Sequence, residues 1–549
     1  MPKIPFWVFI IVGLLYFTAV RVDIMDIDAS QYAEISREMM HSGDYLHIFD
    51  RGKDYLDKPP FLFWVSAASM KVFGVNNFGY RFPSILFALL AVYATYRLTR
   101  LLYDERTARV AALILATCQG MFLMTNDVRT DTILMSWVIT AVWMIKECDI
   151  KRRWYYVLGG TAAIAFGMMT KGPIALMVPI FCFGSDWALK RQWKKIFNPL
   201  HLLDAFLITL FLIPMSIGLY QQFDMHPEKI IDGETHVSGI KFFFWTQSFG
   251  RITGENHWNN GAGFDFLISN MFWSFLPWIF LFLPALVINV YELIKQKFRL
   301  QPEQEWISTG GFLLAYVALG SSHYQLPHYI FVVFPLAAIM VAKLLRDMLE
   351  LKKYNGLLKV MKPFQVFISS LLFAAVLLIL VFTFPVGALG ILLWVIALAI
   401  WLFLMFNKTI QPKIFWSGTV AIIVANIFMT NYFYYNLLHY QVGTQVGKFI
   451  FDNHVPGNKV VYYRIHDPLN ALPFYAQHVI SMDSSAENMS RGKYILTDSS
   501  GLMALKERGN DYDMVKQGTF FKVSELTPEF LNAKTRNKAL NNYYFVLLK

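Results

Sequence analysis

The chain has 549 residues, of which 56% are hydrophobic, 17% aromatic and only 16% charged. Soluble proteins carry about 25% charged residues, so this composition indicates an integral membrane protein and excludes an ordinary soluble domain. The formal net charge of +11 could indicate a nucleic-acid ligand. The basic residues cluster in short links between apolar runs, however, and that placement is typical of membrane topology.

Thirteen apolar runs are candidates for membrane-spanning helices. A hydrocarbon core about 30 Å thick needs roughly 20 apolar residues per helix. The first run has no marked basic n-region and no cleavage site, so we interpret it as a retained anchor. The predicted spans are 5–22, 82–102, 108–125, 131–147, 154–170, 173–189, 203–222, 265–292, 306–320, 327–345, 363–384, 387–406 and 413–433.

The distribution of lysine and arginine predicts the orientation of these spans. Basic residues concentrate in alternate links, and the other short links hold only Arg129 and Lys171. Because cytoplasmic loops carry an excess of lysine and arginine, we predict a cytoplasmic N-terminus in the cell (inner) membrane. An odd number of crossings then places the loops 23–81 and 223–264, and residues 434–549, outside the cytoplasm.

The loop 23–81 is rich in carboxylates and is predicted to hold two helices over the bundle. Tyr32, Ile35 and Met39 share one face of a helix over 29–40, and Ser42-Gly43 predicts its end. Residues 61–73 form an apolar helix too short to span a bilayer, so we expect it at the membrane surface.

Residues 434–549 differ from the rest in pattern. Short strands over 460–464, 479–482, 494–496 and 543–548 alternate with helical or loop stretches such as 469–476 and 501–507. This alternation predicts a small extracytoplasmic α/β domain after a transmembrane domain, 1–433, that is mainly α-helical. The tail holds no glycine fingerprint for a nucleotide.

Asp28 is the first candidate for chemistry, and two interpretations stay open. Asp28-Ala29-Ser30-Gln31 matches a capping box, in which the aspartate only begins a helix. Alternatively, Asp28 acts as a general base or an electrostatic partner for an acceptor hydroxyl. Asp26, two residues earlier, is the alternative carboxylate.

Lys58 is the second candidate, in Asp57-Lys58-Pro59-Pro60, where the two prolines fix the backbone after the lysine. A lysine at the membrane surface could bind lipid headgroups without specificity. It could instead neutralise a phosphate leaving group during glycosyl transfer. The pattern alone does not separate these hypotheses.

Other polar residues fall at the predicted outer ends of the spans. Arg129 and Lys171 oppose the topological bias, so each calls for an anionic partner, either a carboxylate such as Asp131 or a bound phosphate. His328 and Tyr329 occupy another outer boundary, where tyrosines commonly form an interfacial aromatic belt. Histidines can bind metals, but these lack tight ligand spacing. We predict a donor and acceptor pocket lined by Tyr32, Asp131, His328 and Tyr329.

These stretches together resemble a known family. The loop from Asp28 to Asp44, with Asp57-Lys58-Pro59, looks like the first periplasmic loop of the aminoarabinose transferases that modify lipid A. Further similarity lies in Asn76-Asn77-Phe78-Gly79-Tyr80-Arg81, Met169-Thr170-Lys171-Gly172, Phe275-Leu276-Pro277-Trp278 and Leu326-Pro327-His328-Tyr329. That family belongs with the protein O-mannosyltransferases among C-type glycosyltransferases. The resemblance covers roughly residues 5 to 345.

The resemblance implies roles for individual residues. Asp28 matches the acidic catalytic position, and Lys58 and Arg251 match contacts to the donor phosphate. Asp57 matches a glutamate that helps to hold a metal, so a divalent metal is the one candidate cofactor. The family's partner histidine is missing, because the corresponding stretch is Gln247-Ser248-Phe249-Gly250-Arg251; His257 is the candidate substitute. Ala29 also departs from the family, which has glutamate after the catalytic aspartate.

From these features we expect an inverting membrane glycosyltransferase that takes a sugar from a polyprenyl-phosphate carrier. Arg129 and Lys171 are expected to assist Lys58 and Arg251 at the phosphate, and Asp28 and Lys58 are expected to face one cavity. The acceptor is expected to be a lipid A-like glycolipid or a surface glycan. Alternatives are an O-mannosyltransferase-like enzyme acting on protein Ser/Thr, and a flippase or transporter of lipid-linked sugars. A transporter would place charges deep in its helices, whereas these lie at the outer boundary.

Overall fold

The computed structural model describes the protein at residues 1–231, 233–255, 258–465, 469–480 and 490–549. Most of the chain up to residue 437 is helical. Its helices are α1 (Phe6–Thr18), α2 (Asp28–Ser42), α3 (Phe61–Phe73), α4 (Asn77–Leu102), α5 (Glu105–Ala116), α6 (Gln119–Asn126), α7 (Thr130–Lys151), α8 (Trp154–Lys171), α9 (Ile174–Leu189), α10 (Trp193–Ile196), α11 (His201–Leu219), α12 (Gly239–Lys241), α13 (Gly250–Thr253), α14 (Phe266–Ser274), α15 (Ile279–Lys295), α16 (Ile307–Gly320), α17 (Phe334–Leu349), α18 (Asn355–Leu378), α19 (Ala388–Phe406), α20 (Lys413–Phe428) and α21 (Tyr434–Leu437). A 3-10 helix, Pro327–Val333, leads into α17.

Every predicted apolar run contains a helix or a pair of helices, and the protein is a multi-pass membrane protein. Among the described residues, six helices are long and apolar enough to cross a bilayer, or seven if a bent pair forms one span. The six are Asn77–Leu102, Trp193–Asp224, Pro327–Leu349, Asn355–Thr383, Ala388–Phe406 and Lys413–Tyr440. The remaining runs fall below that standard because they are shorter or more polar, so thirteen crossings stay a prediction.

The bent pair is α5 and α6, which meet at an angle of 52°. The break at Thr117-Cys118 frees backbone groups that the neighbouring segment satisfies, since the Gln119 N–H donates to the Leu276 carbonyl at 3.0 Å. After α6 the chain is extended at Asp127 and again at Arg129, directly before α7. Side chains two residues apart on extended backbone point to the same side. The bend therefore delivers Asp127 and Arg129 together to the start of α2.

Both predicted helices of the loop 23–81 are present. The first, α2, ends where Gly43 takes the left-handed conformation (φ 73°), and the second, α3, begins after Pro60 and ends before Gly74 (φ 83°). A hairpin that the sequence did not predict, β1 (Phe49–Asp50) with β2 (Lys53–Asp54), joins them. The Tyr80 hydroxyl of α4 donates to the Ala29 carbonyl at 2.8 Å and so fixes α2 on the bundle.

The C-terminal region carries a four-stranded sheet in the order β3-β4-β6-β5. Strands β3 and β4 are parallel, and the other two pairs are antiparallel. The elements are α22 (Val442–Asp452), β3 (Val460–Tyr463), α23 (Ala471–Ala476), β4 (Tyr494–Asp498), α24 (Ser499–Glu507), β5 (Tyr512–Phe520), α25 (Pro528–Leu531) and β6 (Asn541–Leu548). The predicted α/β character is confirmed, and the division of the chain at residue 434 stays a prediction.

Three of the four predicted strands match β3, β4 and β6. The fourth, at 479–482, is not a strand at 479–480, and residues 481–482 lie outside the described residues. The sequence missed β5, an edge strand in which only Phe520 is buried. An edge strand with little burial lacks the apolar alternation on which strand prediction depends.

Candidate active site

Asp28 is the first residue of α2, and its carboxylate faces Arg129 rather than the helix. Ile27 precedes the helix in the capping position, and no side-chain cap bond is formed by the described residues there. Arg129 donates from Nη1 to Oδ2 of Asp28, and 36% of the Asp28 side chain is exposed. The capping-box interpretation of Asp28 is therefore wrong, and its carboxylate stays accessible.

Asp26, the alternative carboxylate, points into the protein. It is buried, and its Oδ1 accepts a hydrogen bond from the Ser30 hydroxyl. Burial raises the pKa of Asp26 to about 7, and the bond from Ser30 only partly offsets this effect. A carboxylate without solvent access cannot meet an acceptor, so the accessible carboxylate at this turn is Asp28.

Arg129 lies between two carboxylates. Its Nε donates to Oδ2 of Asp127 at 2.7 Å while Nη1 holds Asp28. Burial disfavours the charge of Arg129, but Asp127 and Asp28 outweigh it and raise the pKa of the guanidinium. Asp127 is itself buried, which raises its pKa although Arg129 opposes the rise. Arg129 is therefore fixed by Asp127 and in turn holds the Asp28 carboxylate.

Lys58 is paired with Asp57, and Asp57 is held in turn by Gln247, which is far from both in sequence. Its Nζ donates to Oδ2 of Asp57 at 2.5 Å. The Gln247 side-chain amide donates to the Asp57 carbonyl and lies 3.2 Å from Asp57 Oδ1. Gln247 thus ties the part of the loop 23–81 directly before α3 to the segment after α12.

Lys171, at the end of α8, forms a buried ion pair with Asp131, the second residue of α7. Lysine Nζ and Asp131 Oδ1 lie 2.5 Å apart, and the Asp131 side chain is only 1% exposed. The His328 Nε2 atom lies 3.6 Å from the other carboxylate oxygen. The same ammonium stands 4.1 Å from the centroid of the Tyr329 ring, within range of a cation–π contact.

Lys58 and Lys171 line one cavity of about 100 Å³, together with Asp131, Tyr329 and Gln247. Its remaining wall is largely apolar and is formed by Leu134, Ile174, Met177, Phe249, Ala318, Leu319 and Val332, with Ser248 and Ser322. Asp28 is not among the described residues that line it. This cavity therefore does not join Asp28 to Lys58, and a common cavity for the two residues stays a prediction.

Tyr32 and His328 connect the acidic and cationic parts of the site. Tyr32 is buried edge-to-face against Phe63, with ring centroids 5.9 Å apart. Burial first, and then the charges of Asp28 and Asp57 among others, raise the pKa of the Tyr32 phenol. Arg129, Lys171 and Lys58 all act electrostatically on His328. The two parts thus adjoin without sharing the cavity.

A divalent metal at Asp57 does not fit the donors present. The Asp57 carboxylate accepts from an ammonium and an amide, so N–H donors occupy it where a metal ion would bind. Within the described residues, no group of three or more His, Cys, Asp and Glu side chains could hold a metal ion. The predicted ligand His257 lies outside those residues, and the side chain of Arg251 in α13 is likewise not described.

Sequence reasoning did not single out Asp127 or the role of Gln247. Asp127 could have been found, because it stands two residues before Arg129 in a short polar link. Gln247 carries no such signal, since it meets Asp57 across 190 residues of chain.

Comparison with known proteins identifies the fold that carries this site. Residues 57–217 match the family model described as dolichyl-phosphate-mannose-protein mannosyltransferase. The crystal structure of ArnT from Cupriavidus metallidurans bound to undecaprenyl phosphate superposes with a TM-score of 0.72 at 16% identity, over 98% of this chain and 97% of that one. The chain has the C-type glycosyltransferase fold. The apo oligosaccharyltransferase of Archaeoglobus fulgidus is a more distant match, with a TM-score of 0.53 at 12% identity over 90% and 70% of the two chains.

Several curated relatives are named undecaprenyl phosphate-alpha-4-amino-4-deoxy-L-arabinose arabinosyl transferase. The protein from Edwardsiella ictaluri is 28% identical over 347 residues, which is 61% of this chain and 58% of the relative. That from Enterobacter sp. is 29% identical over 273 residues, or 47% and 45%. The chain therefore spans less than two thirds of these relatives' length. The resemblance inferred from the first loop is confirmed.

Proposed function

We propose that this chain is a membrane glycosyltransferase that moves a sugar from undecaprenyl phosphate, or a close polyprenyl phosphate, to an acceptor outside the cytoplasm. One observation carries the proposal: two lysine ammonium groups line a cavity beside an accessible carboxylate held by a partly buried arginine. The names of the curated relatives and the fold shared with an undecaprenyl-phosphate-bound transferase support the choice of carrier.

The cationic cavity is the site for the donor phosphate. A glycosyl phosphodiester carries one negative charge, and a second develops on the phosphate as the sugar leaves. Lys58 and Lys171 supply charge-assisted donors at that point, so they stabilise the transition state more than the ground state. The apolar part of the wall accommodates the adjoining lipid. Arg129 is assigned to the phosphate from the sequence analysis alone, and Arg251 from the resemblance alone.

Asp28 serves the acceptor. In a single displacement, the acceptor oxygen forms a bond to the anomeric carbon while the bond from that carbon to the phosphate oxygen breaks. The electron pair leaves with the phosphate, and the acceptor proton passes to Asp28. Attack opposite the leaving group inverts the anomeric centre. An acceptor that is itself an ionised phosphate has no proton to lose, and Asp28 then only orients it.

The names of the curated relatives support an aminopentose as the sugar. The resemblance of the first loop supports a lipid A-like glycolipid as the acceptor, and the distribution of lysine and arginine supports the inner membrane with a cytoplasmic N-terminus. The purified chain, supplied with undecaprenyl-phosphate aminoarabinose and lipid A, should yield modified lipid A detectable by mass spectrometry. A strain lacking the gene should lose that modification and accumulate the donor. Unchanged lipid A and unchanged carrier-linked sugars in that strain would contradict the proposal.

A protein acceptor is the second candidate, favoured by the family model at residues 57–217. In that case the same cavity binds the donor, and a serine or threonine hydroxyl replaces the glycolipid at Asp28. Mass spectrometry of envelope glycoproteins from the same deletion strain separates the two acceptors. Loss of O-linked sugar from proteins, with lipid A unchanged, would select this candidate.

A further inference from the structure

The five residues directly before Asp28 contain no helix or strand, and residues 26 and 27 form a turn. Side chains from elsewhere in the chain hold this segment. On the membrane side, Arg81 of α4 is 1% exposed and donates to the backbone carbonyls of Val22 and Asp23, the latter at 2.6 Å. The same guanidinium donates to the Asn126 carbonyl at 3.1 Å. Arg81 therefore connects the segment before Asp28 to Asn126, the last residue of α6, which precedes Arg129 in the chain.

The opposite side of the segment is held by the C-terminal region. The Asp26 N–H donates to Gln441 Oε1 at 2.7 Å, and Gln441 Nε2 donates to the Ile24 carbonyl at 3.2 Å. Gln441 has no exposed surface. One side-chain amide thus satisfies a donor and an acceptor of the same backbone segment, as a neighbouring strand would.

Tyr475 of α23 adds a third bond, because its hydroxyl accepts from the Ile24 N–H at 2.8 Å. The same hydroxyl donates to Asn77 Oδ1 at 2.7 Å, at the start of α4. The Lys448 ammonium donates to the two carboxylate oxygens of Asp23 at 2.8 and 2.9 Å, but 47% of the lysine side chain is exposed. Exposed ion pairs contribute little, so the buried bonds of Gln441 and Tyr475 carry the restraint.

We propose that Gln441 is a positioning residue for the transfer reaction, through which the C-terminal region sets the place of the Asp28 carboxylate. The inference rests on the proposed function, since it assumes that Asp28 serves the acceptor. Asp28 follows the held segment by two residues, so the place of its backbone depends on what fixes residues 24 to 26, while Arg129 holds its carboxylate. A displacement of about 1 Å at a reacting group costs on the order of 100-fold in rate.

The geometry also separates this restraint from donor binding. Lys58 and Lys171 are fixed by Asp57, Gln247 and Asp131, and none of these bonds involves the C-terminal region. Loss of Gln441 should therefore change the chemical step while donor affinity persists. A general loss of structure would change both.

The test replaces Gln441 by methionine, which keeps the length of the side chain and removes both hydrogen bonds. We expect the Gln441→Met enzyme, purified in detergent, to show a kcat lowered about 10- to 100-fold. Its KM for the polyprenyl-phosphate sugar should stay within about twofold of the wild-type value. Gln445→Met is the matched control: Gln445 lies in the first turns of α22, directly after Gln441, and its amide bonds the His439 carbonyl instead.

A double variant shows whether the effect passes through Asp28. If Gln441 acts by placing that carboxylate, Gln441→Met should lower kcat in the wild-type background and leave the residual kcat of Asp28→Asn unchanged. Equal fold-losses in the two backgrounds would overturn the proposal, because the two residues would then act independently. A single variant with wild-type kcat would overturn it as well.

Tyr475→Phe keeps the proposal open to refutation if Gln441→Met fails to fold. It removes only a hydroxyl, and we expect a kcat loss of about 3- to 10-fold with unchanged donor KM and the same dependence on Asp28. Should Asp28→Asn itself keep the wild-type rate, the role of Asp28 in the proposed function fails. Should Asp28→Asn be inactive while the Gln441 and Tyr475 variants are unaffected, only the present inference fails.

Discussion

Two ion pairs stand side by side in the candidate site and differ in which partner meets solvent. In the Asp28–Arg129 pair the carboxylate is 36% exposed and the arginine 19%. In the Asp131–Lys171 pair the carboxylate is 1% exposed and the lysine 16%. The first pair therefore offers its anion to an incoming group, and the second offers its cation.

The difference comes from where the chain places each carboxylate. Asp28 opens the surface helix α2, whereas Asp131 lies in the first turn of α7, packed within the bundle. A buried carboxylate of that kind holds the ammonium in place and restricts the conformations of the flexible lysine side chain. A transfer reaction needs both arrangements, because the acceptor loses a proton while the donor gains negative charge.

The largest effect is expected from removing the charge of Asp28, the exposed carboxylate of the first pair. Asp28→Asn keeps the shape of the side chain but removes the base, so kcat should fall about 10²- to 10⁴-fold with little change in donor KM. Steady-state transfer to the acceptor measures both constants. Asp44→Asn is the control, since Asp44 lies in the same loop and bonds Leu46 and His47 in its own turn.

An unchanged kcat for Asp28→Asn would leave the first ion pair without a chemical role. The acceptor would then be an ionised group that needs no base. An equal fall in the Asp44→Asn control would instead point to damage of the whole loop.

The second prediction removes the exposed cation of the other pair. Lys171→Met should lower kcat/KM for the donor about 10²- to 10³-fold, because an ammonium aimed at the leaving phosphate is lost. Lys53→Met, a loss of the same charge on the exposed hairpin, should change it less than twofold. Matching losses in both variants would mean that overall charge, and not the cavity, attracts the donor.

Sequence reasoning found the parts of these pairs but not the pairing. Loop helices α2 and α3 follow from apolar spacing and from Gly43, and residues 61–73 agree with α3 at both ends. Arg129 and Lys171 were singled out because they oppose the topological bias. Their partners could not be chosen, since Arg129 meets Asp28 across 101 residues and only the helix packing sets that distance.

The same limit explains the cavity that Asp28 does not line. Asp28 and Lys58 are 30 residues apart in one loop, and nothing in the pattern shows which cavity each side chain faces. Strand β5 was not predicted because most of its side chains are not buried, so its sequence lacks apolar alternation. Long-range contacts and exposed edges are thus where sequence patterns carry least information.

The third prediction tests whether the buried carboxylate only positions its lysine. Asp131→Asn keeps the volume of the side chain but removes the charge that fixes Lys171 Nζ at 2.5 Å. We expect kcat/KM for the donor to fall about 10-fold, less than in Lys171→Met, because the ammonium remains but is less well placed. A loss as large as that of Lys171→Met would assign Asp131 a direct part in the reaction.

The smallest expected effect concerns stability beside the site, at Asp26. Its pKa is about 7 in the folded protein because the carboxyl is buried, against an ordinary value of 3.8. Between pH 4 and pH 7 the folded chain therefore binds more protons at Asp26 than the unfolded chain. Its contribution to stability is complete below pH 4, is lost as the pH rises through that window, and changes no further above it.

Asp26→Asn removes this titration, so the variant should gain stability relative to the wild type as the pH rises from 5 to 8. We expect a difference of about 1–3 kcal/mol at pH 8, seen as a higher apparent unfolding temperature by intrinsic fluorescence in detergent. Arg51 is the nearby cation that partly offsets the burial of Asp26, so Arg51→Met should steepen the wild-type decline. Parallel curves for wild type and Asp26→Asn would contradict the prediction, because the pKa of Asp26 would then not be raised in the folded protein.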